Sequence, residues 1–149
     1  GLGGGFQGSM SGRQNVKFVA RVFGDEDSTQ KIITRVQDFA EIGRSFDEPV
    51  DTYSSGMRAR LAFGLSLAFD FDVYLSDEAT SVGDRIFKKK AANAFKEKVG
   101  TASLIMVSHD EAILKQMCQA GIWLKEGGAT WYDDINDALS AYNGPTSLQ

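Results

Sequence analysis

The sequence feature that most constrains the fold is segment 71–78, an apolar run that ends in two adjacent carboxylates. It reads Phe-Asp-Val-Tyr-Leu-Ser-Asp-Glu, with Asp77 and Glu78 at its end. A short apolar run rich in strand formers predicts a β-strand buried on both faces. Carboxylates are costly where such a strand emerges unless a cation or a reacting group meets them. Since ligands bind at the carboxyl ends of strands in open α/β sheets, the segment predicts either a Mg²⁺ and nucleotide-hydrolysis site or a solvated acidic turn.

The composition is that of an ordinary globular protein. The 149 residues suit one domain with a sizeable core, and 42% of them are hydrophobic. The net charge of −4 gives no basic footprint for nucleic acid. The single cysteine, Cys118, excludes an internal disulfide framework and fits a reducing compartment. The longest strongly apolar stretch, 61–69, is too short to span a bilayer, so we expect a soluble cytoplasmic protein that can sit against a membrane protein.

Periodicity and capping residues predict the other elements. Helices are expected over about 11–23, 27–42, 54–68, 85–98, 110–118 and 135–142, and strands over 103–107, 122–125 and 129–132. The strand over 103–107 is predicted to be buried, and Gly43 is predicted to end the second helix. A turn at Gly127-Gly128 is predicted to join the last two strands. The residues Lys88, Lys89 and Lys90 are predicted to form a solvated face.

Segment 52–58, Thr-Tyr-Ser-Ser-Gly-Met-Arg, has the features of an anion-binding turn. It stands at the start of a predicted helix, and helix N-termini present free N–H groups and a positive dipole end. Gly56 lets a phosphate approach the backbone, and Ser54 adds a hydroxyl donor. An ordinary serine N-cap is the structural alternative.

Four motifs in this order resemble the ATPase subunit of an ABC transporter. They are the signature turn at 52–58, the acidic strand at 71–78, the loop at 80–84 and the strand that ends in Ser-His-Asp at 108–110. The run Tyr-Ser-Ser-Gly-Met resembles the variant signature of bacterial exporters of capsular polysaccharide, O-antigen and teichoic acid. Segments 4–9 and 12–16 resemble the same subfamily, so the resemblance covers essentially the whole chain.

The resemblance implies roles for the hydrolytic residues. Asp77 would hold Mg²⁺ through water, and Glu78 would be the catalytic base. His109, the only histidine, would contact the γ-phosphate of ATP. Gln7 would contact Mg²⁺ and the attacking water. A structural histidine and a polar residue in a flexible terminus are the alternatives for His109 and Gln7.

The resemblance also implies which residues bind the nucleotide. Ser54, Ser55 and Gly56 would face a phosphate. The common ABC signature has a second glycine where Ser55 stands and glutamine where Met57 stands, and this departure supports the polysaccharide subfamily. Asp84 would be the acidic member of a loop that signals across a dimer. An N-cap for helix 85–98 is the other interpretation of Asp84, and both can hold at once.

The sequence contains no phosphate-binding loop of the form Gly-x-x-x-x-Gly-Lys-Ser/Thr. In the family this loop precedes the matched segment, so we expect the C-terminal portion of a longer protein, with the N-terminal part of the domain missing. A complete protein that has lost ATP binding is the alternative, and an opening that resembles the middle of the family's domain favours the first account. The expected fold is α/β, with a partly parallel sheet and helices like those of P-loop NTPases. An all-helical subdomain with the signature is predicted at about 9–70, and the remaining ATPase core at about 71–149.

The implied function is ATP hydrolysis that drives export of a surface polysaccharide or polyol phosphate. The implied cofactors are ATP and Mg²⁺, and the implied location is the cytoplasmic side of the bacterial inner membrane. The implied partners are a polytopic permease subunit and a second copy of the chain in a head-to-tail homodimer, with no nucleic acid. Two alternatives remain: an ABC-type ATPase that acts on DNA or ribosomes, and a nucleotide-free interaction module.

Overall fold

The computed structural model of the chain describes residues 5–23, 28–77 and 84–144. Its α-helices and strands, in chain order, are α1 (Gly12–Phe23), α2 (Thr29–Ala40), α3 (Ser55–Leu67), β1 (Val73–Asp77), α4 (Arg85–Val99), β2 (Ser103–Val107), α5 (Glu111–Met117), β3 (Gly121–Lys125), β4 (Gly128–Tyr132) and α6 (Ile135–Asn143). Strands β1 and β2 are joined through α4 and form a small parallel sheet. Strands β3 and β4 form a separate antiparallel hairpin. The predicted α/β class is therefore confirmed.

The chain divides into two compact units. The first comprises the described residues within 1–74 and 79–103, and the second those within 75–78 and 104–149. In the first unit α2 packs against both α1 and α3, and α4 packs against α3. In the second unit α6 packs against the β3–β4 hairpin. The proposed boundary near residue 70, between a helical subdomain and the remaining core, stays a prediction.

Helix α1 begins with a reciprocal capping box. The N–H of Gln14 donates to the hydroxyl oxygen of Ser11 at 3.1 Å, and the N–H of Ser11 donates to Oε1 of Gln14 at 2.9 Å. This exchange satisfies two backbone donors at the helix start. The prediction that Ser11 caps this helix is thus confirmed.

The hydrophobic core of the first unit lies between α1, α2 and α3. Its fully buried side chains include Val16, Val36, Phe46, Leu61 and Leu65. Burying a side chain of this size stabilises the fold by about 1.5–3 kcal/mol. Phe46 comes from the α2–α3 connection, where two short 3₁₀ helices span Gly43–Asp47 and Val50–Thr52. This connection therefore forms part of the core.

Helix α2 ends earlier than predicted. It stops at Ala40, and Glu41 takes the left-handed conformation with a φ of 50°. Gly43 has a φ of 58° and opens the first 3₁₀ helix, so the prediction that Gly43 ends α2 is wrong. Glu41 is held there by an ion pair with Lys90, at 2.7 Å between Nζ and Oε1. This partner comes from α4, so the local sequence does not reveal it.

Strands β1 and β2 are not buried on both faces, and that prediction is wrong. The side chains of Leu75, Ile105 and Val107 are 78%, 59% and 61% exposed. Along β1 the burial alternates from residue to residue, with the side chains of Tyr74 and Ser76 buried. Burial on both faces needs a covering layer on each side. In the part of the chain that the structure describes, one face of this sheet stays exposed.

The β3–β4 hairpin turns one residue earlier than predicted. Lys125 pairs with Gly128, so Glu126 and Gly127 form the two-residue turn. Their φ values are 50° and 79°, and positive φ at both central residues is the type I′ geometry that suits a hairpin.

Within the three described ranges, no helix is both long and apolar enough to cross a membrane.

Candidate functional site

The N-terminus of α3 presents a capped turn with free donors. The N–H of Met57 donates to the hydroxyl oxygen of Ser54 at 3.2 Å, and the N–H of Arg58 makes the first helical bond, to the carbonyl of Ser54 at 3.0 Å. The N–H groups of Ser55 and Gly56 precede that bond, so the helix itself does not use them. The cap uses Ser54 as an acceptor, which leaves its O–H as a donor. Three donors therefore stand together at the positive end of the helix dipole.

The space around Gly56 is open. A Cβ atom at this position would have the hydroxyl oxygen of Ser54, 3.8 Å away, as its nearest neighbour. At Gly64 on the same helix, a Cβ atom would lie 3.2 Å from the Phe39 ring. The packing thus explains Gly64 but not Gly56. Open space at a helix N-terminus fits the predicted close approach of a phosphate.

Tyr53 anchors the turn to the core of the first unit. Its side chain is buried, and its hydroxyl donates to the carbonyl of Ser45 at 2.6 Å. Burial raises the pKa of the phenol above its usual value. The residue that precedes the turn is therefore fixed by both packing and a hydrogen bond.

The turn opens into a cleft of about 750 Å³ in the first unit. The cleft is bounded by the end of α2, the start of α3 and the start of α4. Its lining residues are Glu41, Ile42, Ser45, Ser54, Ser55, Gly56, Met57, Ala59, Arg60 and Asp84. The sequence predicted Asp84 and the turn as separate motifs, and the structure brings them to one cleft.

Asp84 is the N-cap of α4, as one interpretation of the sequence predicted. Its Oδ1 accepts hydrogen bonds from the N–H groups of Ile86 and Phe87, both at 3.0 Å. Its Oδ2 forms an ion pair with the guanidinium of Arg60. The bond from the Phe87 N–H and then the bond from Arg60 lower the pKa of the carboxyl. Its signalling role across a dimer stays a prediction.

Sequence reasoning missed Arg60 and Lys90. Lys90 pairs with Glu41 and donates to the carbonyl of Phe39 at 3.0 Å, so the prediction of a solvated face is wrong for this residue. Arg60 reaches Asp84 from α3. Glu41 lies 49 positions before Lys90, and Asp84 lies 24 after Arg60. The sequence signal for these pairs would have been opposite charges at helix positions that face each other in the fold.

Gln7 is fixed in an ordered turn before α1. Its N–H donates to Oδ1 of Asn15 at 2.8 Å, and its carbonyl accepts from Nδ2 of the same residue at 3.1 Å. Asn15 is buried, so these bonds hold the backbone of Gln7 against α1. The side-chain amide of Gln7 donates to Ser9 at 3.5 Å. The interpretation of Gln7 as part of a flexible terminus is not supported, and its role toward Mg²⁺ stays a prediction.

The second unit carries Asp77 and His109 at one edge of its parallel sheet. Asp77 is the last residue of β1, and His109 follows β2 by two residues. The carboxyl ends of neighbouring parallel strands meet at the same edge, where ligands bind in α/β sheets. Glu78 lies outside the described residues, as do 79–83 of the loop. Among the described residues, no group of three or more His, Cys, Asp or Glu side chains could hold a metal ion.

Comparison with a solved structure identifies the fold. The chain aligns with cbiO1 from Clostridium perfringens, described as part of an ABC transporter complex, with a TM-score of 0.64. The alignment covers 92% of this chain and 56% of that protein at 21% identity. The chain thus has the fold of a partial ABC ATPase domain.

The sequence relatives of the chain identify its family. The chain is 52% identical to a polysialic acid transport ATP-binding protein of Escherichia coli, over 95% of this chain and 65% of that protein. It is 41% identical to the capsule polysaccharide export ATP-binding protein of Neisseria meningitidis serogroup B, over 94% of this chain and 64% of the relative. It is also 38% identical to a teichoic acids export ATP-binding protein of Bacillus cereus, over 93% of this chain and 26% of the relative. No protein-family model matches the chain.

The chain is therefore a homologue of the ATP-binding subunits of bacterial capsule and teichoic acid exporters. This confirms the family that its motifs predicted. The chain spans about 65% of the length of the first of these relatives.

Proposed function

We propose that the protein to which this chain belongs is the ATP-hydrolysing subunit of a bacterial ABC exporter of a surface polysaccharide or polyol phosphate. The observation that carries the proposal is the 52% identity, over 95% of the chain, with a polysialic acid transport ATP-binding protein. It works at the cytoplasmic face of the inner membrane with a polytopic permease subunit. Its cofactors are ATP and Mg²⁺.

The turn at the start of α3 supplies the groups that a phosphate needs. The O–H of Ser54 and the N–H groups of Ser55 and Gly56 donate hydrogen bonds, and the helix dipole favours negative charge. The carboxylates of Glu41 and Asp84 offset the charge of Arg60 in the same cleft. Attraction for phosphate at this turn therefore comes from oriented donors rather than from net positive charge.

The second unit supplies the hydrolytic side chains. Mg²⁺ at phosphate sites is usually held by one or two carboxylates together with the phosphates, and Asp77 at the end of β1 is suited to that role. Glu78 takes a proton from the attacking water, and His109 contacts the γ-phosphate. Gln7, which belongs to the first unit, would contact Mg²⁺ and that water. Phosphoryl transfer depends mostly on positioning and electrostatics, which these residues provide.

One chain carries both the phosphate-facing turn and the hydrolytic residues. We propose that the two sets serve different nucleotides, so that the turn of one subunit completes the site of the other in a head-to-tail homodimer. ATP bound between the subunits holds the dimer together, and hydrolysis releases it. This arrangement makes each site dependent on Gly56 of one copy and Glu78 of the other.

Mixing two variants of the complete protein tests this proposal. Gly56→Asp blocks phosphate approach to the turn, and Glu78→Gln removes the base. Base catalysis contributes roughly 10²–10⁴-fold, so Glu78→Gln is expected to lose turnover by that factor while it still binds ATP. In a mixed dimer both lesions fall in one site and leave the other intact. We expect ATPase activity to return in the mixture, although neither variant is active alone.

Three results would count against parts of the proposal. If the unmodified complete protein does not hydrolyse MgATP, the ATPase assignment is wrong. If Glu78→Gln hydrolyses ATP at the parent rate, Glu78 is not the base. If verified mixed dimers stay inactive, the turn acts within its own chain or the two sites are strictly coupled. A crosslink from position 54 to the partner's nucleotide then separates these last two cases.

A further inference from the structure

Four charged side chains meet where α2 ends and α4 begins, and we call them the charged junction: Glu41, Arg60, Asp84 and Lys90. Lys90 pairs with Glu41 at 2.7 Å, and Arg60 pairs with Asp84. Hydrogen bonding from Lys90 lowers the pKa of the Glu41 carboxyl, so Glu41 keeps its negative charge to a lower pH than an ordinary glutamate. All four residues belong to the first unit.

The two cations of the junction also bind the C-terminal end of α2. Lys90 donates to the carbonyl of Phe39 at 3.0 Å, and Nη1 of Arg60 donates to the carbonyl of Ala40 at 3.5 Å. Cations at this end of a helix satisfy unpaired carbonyls and interact favourably with the dipole. The junction therefore ties the end of α2 to both α3 and α4.

Arg60 is the member of the junction that belongs to the helix of the signature turn. Its side chain is 20% exposed, and its guanidinium lies over the ring of Phe87, 4.6 Å from the centroid. The carboxylate of Asp84 is shared, since Oδ1 caps α4 while Oδ2 accepts from Arg60. One carboxylate therefore joins α3 directly to the first turn of α4.

We propose that Arg60 is a positioning residue, which holds the phosphate-facing turn of α3 and the start of α4 in one fixed arrangement through Asp84. The inference rests on the proposed function, because it assumes that the turn faces a phosphate. In this positioning role Arg60 does not contact the nucleotide. A misplacement of about 1 Å at a reacting site can lower a rate about 10²-fold, so loss of this link acts on turnover.

Steady-state kinetics of the complete protein test the inference. For Arg60→Gln we expect kcat to fall roughly ten- to a hundredfold, with KM for MgATP within about twofold of the parent. Arg60→Lys keeps the charge but not the planar fork, and it should recover part of kcat. If Arg60→Gln does not fold, the kcat of Arg60→Lys is measured in its place.

Arg13 provides a matched control. It pairs with Asp47 at 2.6 Å and lies over the ring of Phe46, 5.0 Å from the centroid, so its surroundings resemble those of Arg60. It belongs to the first unit but does not line the cleft. Arg13→Gln is therefore expected to keep kcat within about twofold of the parent, since surface ion pairs contribute little.

A double-mutant cycle tests the link through Asp84. Asn can still cap a helix, so Asp84→Asn removes the charge while it keeps the cap. If Arg60 acts through Asp84, the two substitutions break the same link. The kcat of the double variant Arg60→Gln with Asp84→Asn is then no lower than that of the less active single variant. If the two residues act independently, the fold losses multiply, and that result overturns the inference.

Two kinetic outcomes also overturn it. One is a parent-like kcat in Arg60→Gln, and the other is a raised KM with unchanged kcat, which would make Arg60 a direct nucleotide ligand. Should the parent itself lack ATPase activity, the proposed function fails and the same cycle is measured by thermal unfolding. Additive losses of Tm for Arg60→Gln and Asp84→Asn would then refute the link, and non-additive losses would support it.

Discussion

Replacing Tyr53 by phenylalanine tests how the signature turn is anchored. The substitution keeps the buried ring and removes only the hydroxyl, which donates to the carbonyl of Ser45 at 2.6 Å. Tyr53 is 6% exposed, so solvent reaches little of the side chain. The backbone N–H of Gly12 also hydrogen-bonds to this hydroxyl, so the change isolates the contacts of one hydroxyl next to the turn.

The expected loss follows from the burial of the bond to Ser45. A typical hydrogen bond contributes about 1 kcal/mol net, and a buried acceptor left without its donor costs about 1–3 kcal/mol. For this partly buried pair we expect Tyr53→Phe to lower the free energy of unfolding by about 1–2 kcal/mol. With a urea m-value of about 2 kcal/mol/M, in the middle of the usual range, the midpoint should fall by about 0.5–1 M.

Urea unfolding of the chain, followed by circular dichroism, measures this shift. Tyr142→Phe is the matched control, because Tyr142 is 60% exposed and its variant should unfold at the parent midpoint. If Tyr53→Phe also unfolds at the parent midpoint, the hydroxyl does not anchor the turn. If both variants lose the same stability, the effect is not due to burial, and the reasoning fails.

Three further predictions concern the chain itself. The 149-residue chain is expected to bind MgATP more weakly than micromolar, because its sequence has no phosphate-binding loop; micromolar affinity by calorimetry would contradict this. Gly12→Ala should cost about 1–3 kcal/mol in urea unfolding, because its Cβ atom would lie 2.5 Å from the Tyr53 hydroxyl, while Gly56→Ala should cost nothing. The free energy of unfolding should fall as the pH rises above about 10, because burial raises the pKa of Tyr53 in the folded state. Tyr53→Phe should weaken this pH dependence, and an unchanged pH profile in the variant would contradict the prediction.

Local signals in the sequence predicted the helices and their starts well. The Ser11–Gln14 capping box and the N-caps at Ser54 and Asp84 involve residues only two or three positions apart. Such bonds form wherever the helix forms, so a single sequence specifies them. The motif order likewise predicted the family, because it depends on residue identity rather than on packing.

Features that depend on distant residues were not predictable in this way. The position of Glu41 at the end of α2 depends on Lys90, and the solvated face predicted for Lys90 ignored that partner. The burial predicted for β1 and β2 assumed layers on both faces, which an apolar run such as the one around Leu75 cannot guarantee. In the hairpin, the register pairs Lys125 with Gly128 and places Glu126 at positive φ. Glycine adopts positive φ more readily than glutamate does, so the local preference for the glycine pair predicted the wrong turn.

The exposed face of the β1–β2 sheet has a practical consequence for assays. Leu75, Ile105 and Val107 offer apolar surface in the folded chain. Dyes that fluoresce on contact with apolar surface will bind this face before any unfolding begins, whereas such binding is usually taken as a sign of a molten state. A dye-based melting curve of the chain should therefore start from a high baseline, and calorimetry or circular dichroism will give the true transition.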